Sequence, residues 1–367
     1  MKIVHLTSAH PRDDTRIYIK MCNSCMEQGW TTTLIVADNL GNAIKNGIQI
    51  IDVGSGTKSR INRFTKTVWA VYKQAKDLDA DIYHLHDPEL LWIALLLKAN
   101  GKKVIFDSHE DLPKQILSKP YLNSIQAKML SFVVKKFESF VCKRLNGVVA
   151  ATPFIKSKFQ NYGCNVEAIN NYPKLEEFSK LSINNEKLDF SACYIGNISK
   201  VRGIIEMLDA IANSNVPLSI AGQFNEPSLE KEAKSHSAWK QVDDKGWLDR
   251  GEVANLMAKS SVGLVTLHPI INYQDALPVK MFEYMAAGIP LIATDIPYWK
   301  EIIERNQCGL VVDPFNSKEY ATKLKYLQDN PDLCIEMGEN GKKAVELEYN
   351  WLVEERKLLA FYAQIAS

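Results

Sequence analysis

The groups best suited to nucleotide chemistry lie in DALPVKMFEYMAAGIPLIATD, residues 275–295. Pro278 marks the approach to a helix, Glu283 sits early on it, and Gly288 ends it before a buried strand. A carboxylate at Glu283 can accept two ribose hydroxyls, and the unsatisfied N–H groups of a helix start can hold phosphate. The same carboxylate would also serve as a favourable charge near the positive end of the helix dipole. A second cluster, GNISKVRG at residues 196–203, directly follows an apolar run. Gly196 and Gly203 permit close backbone approach, and Arg202 can fork onto a diphosphate. Lys280 offers another cation, and such groups stabilise charge growing on a leaving diphosphate. An ordinary surface place for Arg202 is equally compatible. The loop lacks the GKS or GKT ending of a phosphate loop and is not a GxGxxG fingerprint, which disfavours a simple dinucleotide dehydrogenase.

The first half holds a different chemistry. His109 follows the run VIFD and precedes Glu110 and Asp111, which puts an imidazole at the end of a strand. There it can donate to a sugar hydroxyl or act as a base. His84 and His86 fall on one strand face if the strand runs through them. With Asp87 and Glu89 they invite a metal reading, but packed histidines account for them as well, and no metal site is assigned. The loop HPRDDTR, residues 10–16, sets Arg12 and Arg16 where they can meet an anion, and Asp13 and Asp14 where they can bind hydroxyls. The competing reading is an Asp or Thr helix cap with solvent-facing charge. Cys22 and Cys25 form a CxxC inside an expected helix. With seven scattered cysteines, core or surface thiols are expected rather than a disulfide or metal framework.

These clusters need a scaffold, and the chain supplies one twice. Strands are expected at 2–6, 31–37, 48–53, 81–85, 102–107 and 147–151, with helices over 16–29, 61–78 and 88–99. A second series runs through strands 190–195, 217–221, 262–267, 289–293 and 309–312, with helices over 204–213 and 280–287. Strand–helix alternation indicates an α/β protein with two parallel sheets, each a Rossmann-like domain. The expected division is a first domain at 1–169, a linker at 170–189, a second domain at 190–345, and a C-terminal helical segment at 346–367 packing back on the first domain. Open parallel sheets bind ligands beyond the C-terminal ends of their strands, so two such domains facing across a cleft suit group transfer with water excluded.

Composition narrows the partners. The formal net charge is +1, yet residues 1–170 carry 23 Lys or Arg against 15 Asp or Glu, and residues 171–367 carry 21 against 28. A basic half can steer an anionic partner or simply solvate its helices. Residues 114–145 combine leucines, phenylalanines and valines with seven Lys or Arg. They can form a basic amphipathic surface for anionic lipid headgroups, or pack their apolar face inward. Nucleic acid is disfavoured, because aromatic residues are not interleaved with one basic stripe. No uninterrupted run of 18 apolar residues predicts a membrane span, and MKIVHLTSAH reads as a strand rather than a secretory leader. A cytoplasmic protein is expected, with association at the inner face of the plasma membrane as the alternative.

Taken together, MKIVHLTSAHPRDDTRIYIK, DIYHLHDPELL, VIFDSHEDLP, YIGNISKVRG, LPVKMFEYMAAGIPLIATD and NWLVEERKLLAFY resemble the retaining GT-B glycosyltransferases of family GT4, over nearly the whole chain. The resemblance implies a nucleotide-sugar donor, UDP-linked by default, held by the second half, and an acceptor held by the first. It places Glu283 at the second carboxylate of the family's E-x7-E motif, as donor-ribose ligand. Asp275 occupies the first, so backbone at Ala276, Leu277 and Pro278 is expected to share in donor recognition. Asn197 stands where the family usually has arginine. Arg202 keeps the second positive charge, and Lys280 is a candidate to replace the first. His109 matches the family's active-site histidine. The HPRDDTR loop and the PVK before FEYM resemble the branch that builds bacterial surface polysaccharides, such as capsule or O-antigen. The implied acceptor is a glycan or a polyprenyl-diphosphate-linked glycan, with no permanent cofactor and no required divalent metal. Two other readings stand beside this one: a different GT-B enzyme, such as a sugar-nucleotide epimerase or an inverting transferase, and a noncatalytic sugar-nucleotide or glycan binder.

Overall fold

The computed structural model describes residues 1–54, 62–119, 122–179 and 189–367. Residue 61 of the expected helix 61–78, residues 120–121 of the basic segment 114–145 and residues 180–188 of the expected linker lie outside them. The chain separates into two compact units, Met1–Asn171 with Leu352–Ser367, and Tyr172–Trp351.

The first unit holds strands β1 (Lys2–Leu6), β2 (Thr31–Val36), β3 (Ala43–Lys45), β4 (Ile48–Asp52), β5 (Ile82–Leu85), β6 (Val104–Ser108), β7 (Gly147–Ala150) and β8 (Val166–Ala168). They form one sheet in the order β3-β4-β2-β1-β5-β6-β7-β8, parallel except for the β3–β4 pair. Apolar residues on both faces of β1, β2, β5, β6 and β7 are buried, as a sheet covered by helices on two sides requires. One cover is the C-terminal helix Trp351–Ala366. A Cβ on Gly147 of β7 would sit 2.6 Å from Ile365 and 2.7 Å from Phe361, so any larger residue there would have to push these side chains aside. The Asn170 N–H donates to Glu354 at 2.8 Å, and Tyr362 meets the buried His84 Nδ1 at 2.6 Å. The expected packing of the C-terminal helix on the first domain is therefore observed.

The second unit holds β9 (Ala192–Ile195), β10 (Leu218–Ala221), β11 (Val242–Gly246), β12 (Val262–Val265), β13 (Leu291–Thr294) and β14 (Gly309–Val312). Their order, β11-β10-β9-β12-β13-β14, is wholly parallel and reverses direction between β9 and β12. This is the Rossmann order, so both units are Rossmann-like. Sequence patterning located every strand of this sheet except β11, whose VDDKG is too polar to show. It also passed over the helices Pro227–Ser235, Arg250–Ala258 and Pro297–Asn306. Their apolar positions are few, and it is the sheet beneath that selects them.

Phe361 is 5% exposed against Gly147. Phe361→Ala is expected to destabilise the first unit by about 3–5 kcal/mol, read as a lower urea midpoint by circular dichroism. An unchanged midpoint would show that the helix is not part of this core.

Candidate functional site

In a parallel sheet whose strand order reverses, the two loops at the reversal diverge and leave a crevice. In the second unit that point follows β9, where the chain continues as Gly196–Gly203. Gly196 has φ 120° and Gly203 φ 74°, and a Cβ on Gly203 would lie 2.2 Å from the Thr266 carbonyl oxygen beyond β12. The loop thus presses against the neighbouring strand end, which only glycine permits. Tyr194 holds it from beneath by donating its hydroxyl to the Asn197 carbonyl at 2.8 Å. The Asn197 side chain is exposed. Arg202 hydrogen-bonds with the Tyr194 and Tyr273 hydroxyls.

The helix Val279–Ala286 begins after Pro278, and its first turn delivers Lys280. Burial drives the Lys280 ammonium well below its ordinary pKa, and the nearby Arg202 charge lowers it further. Its Nζ stands 3.8 Å from the Tyr194 ring centroid and 3.2 Å from the position a Gly196 Cβ would take, with Arg202 Nη1 3.5 Å from that same position. Two basic side chains therefore flank one glycine. Glu283 lies one turn further along the helix, 6% exposed, with Oε1 accepting from Arg250 Nη1 at 2.7 Å. Arg250 also pairs with Glu177. Asp275 lies in the turn ahead of this helix, Leu277 and Pro278 are half-buried, and the Ala276 carbonyl accepts from Trp299 Nε1 at 2.7 Å. Arg202, Lys280, Gly196, Asp275 and Glu283 all belong to the second unit, whereas His109 belongs to the first. Arg250 was not foreseen. The signal available was the capping pair Asp249 and Glu252 at its helix start, which places Arg250 at the first helical position.

In the first unit, His109 follows β6 directly. Its Nε2 donates to Asp107 Oδ2 at 2.7 Å. The same carboxylate accepts from His86 Nδ1 at 3.0 Å and from Arg16 Nε and Nη2 at 2.9 and 2.8 Å. Burial alone would raise the Asp107 pKa, but the Arg16 charge and the two imidazoles hold it well below the carboxylate range. Burial lowers His5 and His86, so both are neutral, and this sets the direction of the bonds. His86 gives its one proton to Asp107, so its Nε2 accepts from His5 Nδ1 at 2.9 Å. Of the two readings of the HPRDDTR loop, the helix cap is the one observed, with Asp14 capping the helix that starts at Thr15. The two arginines are neither anion ligands nor solvent-facing charges: Arg16 is buried against Asp107, and Arg12 is paired with Asp38 at 2.7 Å. Asp107 was read only as the end of an apolar strand. A carboxylate at that place in a buried run was the available sign of a partner.

The ligand atoms of His5, His84 and His86, and those of His86, Asp107 and His109, lie within 4.8 Å of one another. In the second set the carboxylate already accepts four hydrogen bonds, about its full capacity, and Arg16 supplies the balancing charge. In the first set His5 and His86 are bonded to each other, and His84 Nδ1 meets Tyr362. Neither arrangement fits an ion without breaking these bonds. Beside His109 is a cavity of about 270 Å³, lined by His10, Phe106, Ser108, Glu110, Gln115 and Glu138 among others. Burial raises the Glu138 carboxyl despite its 2.6 Å pair with Lys158. An apolar floor with carboxyl, amide and imidazole groups around it can take a polyhydroxyl ligand.

Residues 16–172 match the family described as Glycosyltransferase Family 4, and residues 174–344 match Glycosyl transferases group 1. The chain is a GT-B glycosyltransferase related to these families. Over 182 residues it is 26% identical to an alpha-D-kanosaminyltransferase of Streptomyces kanamyceticus, a match covering 47% of this glycosyltransferase and 45% of that relative. Its fold is similar to sucrose-phosphate synthase of Thermosynechococcus elongatus, with TM-score 0.81 at 15% identity over 99% and 98% of the two chains. It is also similar to HepE of Anabaena in complex with UDP and glucose, with TM-score 0.76 at 14% identity over 99% and 100%.

Asp87 closes the strand-order reversal of this glycosyltransferase's first unit. It accepts from the Thr7 hydroxyl at 2.8 Å and the Ser8 N–H at 2.6 Å, and pairs with His10 at 2.9 Å. Burial would raise its pKa, but His10 and these donors hold it at about 2, below the ordinary 3.8. A folded value below the unfolded one gives stabilisation that is complete above the unfolded value and lost as pH falls towards the folded one. Asp87→Asn is therefore expected to remove about 2 kcal/mol at neutral pH. It should also flatten the loss of stability between about pH 4 and pH 2, as read by urea unfolding across pH. A variant with the wild-type acid limb would contradict the assignment.

Proposed function

We propose that the enzyme is a retaining glycosyltransferase that moves a sugar from a UDP-linked donor to a glycan or polyprenyl-diphosphate-linked acceptor in bacterial surface-polysaccharide synthesis. The observation that carries this reading is the pair of basic side chains, Arg202 and Lys280, flanking Gly196 at the strand-order reversal, with Glu283 one turn beyond Lys280 on its helix. Arg202 and Lys280 stabilise the leaving diphosphate, with backbone at Gly196 and Asn197 alongside. Glu283, steadied by Arg250, takes the ribose hydroxyls and is not a nucleophile. Asp275 and the backbone of Ala276, Leu277 and Pro278 contact the donor sugar. His109, oriented by Asp107, contacts the transferred sugar. The presence of UDP and glucose in the HepE structure, and the sugar transfer in the kanosaminyltransferase's name, support a UDP-sugar donor. No divalent metal is assigned, since diphosphate charge is met by Arg202 and Lys280.

A second reading rests on the Asp107–His109 pair. A carboxylate-held imidazole can act as general base, as an inverting displacement needs. The anomeric configuration of the product, followed by proton NMR during turnover, decides between the two. A donor panel of UDP-, GDP- and other nucleotide sugars tests the site. Glu283→Ala and Arg202→Ala are expected to lower kcat/KM for the accepted donor by roughly 10²–10³, with folding intact by circular dichroism. Wild-type turnover in both variants would remove these residues from the mechanism.

The acceptor side has its own support. The helix Ser124–Cys142 exposes Ile125, Met129, Phe132, Val133 and Phe140 along one face, with Ile125 74% exposed. Its only acidic residue is the buried Glu138. No helix among the described residues is long and apolar enough to cross a membrane. This face is proposed to rest on an anionic bilayer surface at the cytoplasmic side. Sedimentation with vesicles containing about one-third anionic lipid should recover the protein at low salt and lose it at high salt. Recovery no greater than in a lipid-free control would contradict membrane contact.

A further inference from the structure

The Lys280 side chain is the least satisfied charged group near the proposed diphosphate site. It is 9% exposed, and among the described residues its Nζ has no hydrogen-bond partner. An amine shut away in this way is costly unless something comes to meet it. Its surroundings are specific. Tyr194 and Cys193 of β9 face it, the first with its ring 3.8 Å away. Arg202 approaches from the Gly196–Gly203 loop, in contact with Tyr194 and Tyr273. Glu283, on its own helix, is the one carboxylate that acts on it, and that carboxylate is already bonded to Arg250. Arg202 acts on the amine more strongly than this carboxylate does. The neighbouring charge therefore disfavours the ammonium.

We propose that binding of a nucleoside diphosphate draws one proton from solvent onto Lys280, making it the switchable half of an anion site whose fixed half is Arg202. This rests on the diphosphate-site reading above and adds the proton coupling to it. The step is an acid–base equilibrium: Nζ takes the proton from water or buffer, and no bond of the nucleotide is made or broken. The physical reason is charge balance. Without the anion, burial and the Arg202 charge favour the neutral amine. A diphosphate placed against Gly196 brings two or more negative charges beside both groups and restores the ammonium. Position 197, where an arginine would supply permanent charge, holds Asn197, so the proton provides the second positive charge only when the nucleotide is present. On departure of the diphosphate the proton leaves with it, and the site does not retain product as two permanent cations would.

The sign follows from linkage. The bound form has the higher pKa at Lys280, so affinity is greatest at lower pH and falls as pH rises, by up to tenfold per pH unit while the free amine is neutral. The test is calorimetry of UDP binding to the full chain at pH 8, where UDP is fully ionised, in two buffers of different ionisation heat. Uptake of between one-half and one proton per UDP is expected for wild type. Lys280→Arg, whose guanidinium stays charged, should bind UDP with no proton uptake and a flat pH profile from 7 to 9. Lys280→Met should bind roughly 10- to 100-fold more weakly, also without uptake. Wild-type binding without uptake, or uptake that persists in Lys280→Arg, overturns the proton coupling and leaves the nucleotide site standing. Failure of wild type to bind either UDP or GDP overturns the nucleotide site and the coupling with it.

Discussion

A parallel sheet wound in both directions from its middle must have one place where neighbouring loops part, and everything functional in this chain follows from how that place is filled. It occurs once in each unit, between β1 and β5 and between β9 and β12. In the first unit, Asp87 takes the Thr7 hydroxyl and the Ser8 and Ala9 amides of the departing loop, so the gap is closed by the protein's own hydrogen bonds. In the second, the loop is built on Gly196 and Gly203, and Arg202 and Lys280 converge there with no hydrogen bond to the nearby Glu283 carboxylate, which is held by Arg250.

The electrostatics of the two units differ in the same sense. Around His109 the charges are paired in place: Arg16 with Asp107, His10 with Asp87, and Lys158 with both Glu138 and Asp111. Such a set is rigid, because removing any one member strands a buried partner. It orients an imidazole beside a cavity suited to hydroxyl groups. Around Gly196, Arg202 and Lys280 are not paired with the Glu283 carboxylate, which Arg250 holds. A fixed lining of paired charges suits a polyol acceptor, while a site with unpaired basic groups suits a diphosphate whose charge grows as it leaves.

Much of this was legible beforehand. Alternating apolar runs located both sheets, because strands buried on both faces read as continuous hydrophobic segments. The glycines of GNISKVRG, the Lys280–Glu283 spacing along one helix and the position of His109 after VIFD each depend on residues close in sequence, and such features leave local signatures. What was not legible was pairing at a distance. Arg16 and Arg12 read as free cations in a polar loop, yet their partners, Asp107 and Asp38, lie 91 and 26 positions away. Arg250 gave no hint of its bond to Glu283, 33 positions on. The polar strand β11 and the helices with sparse apolar stripes were missed for a related reason, since their neighbours select them more strongly than their own residues do.

By itself, then, the sequence determined the two-sheet α/β plan, the turns where glycine is obligatory and the residue types at the ends of the strands, because each depends on interactions within a few residues. Only the tertiary structure decided which of those charges are spent on one another and which are left over. Burial converts Arg16 and Asp107 into a mutual pair and leaves the Lys280 amine without a hydrogen-bond partner among the described residues, and burial belongs to the packed chain as a whole.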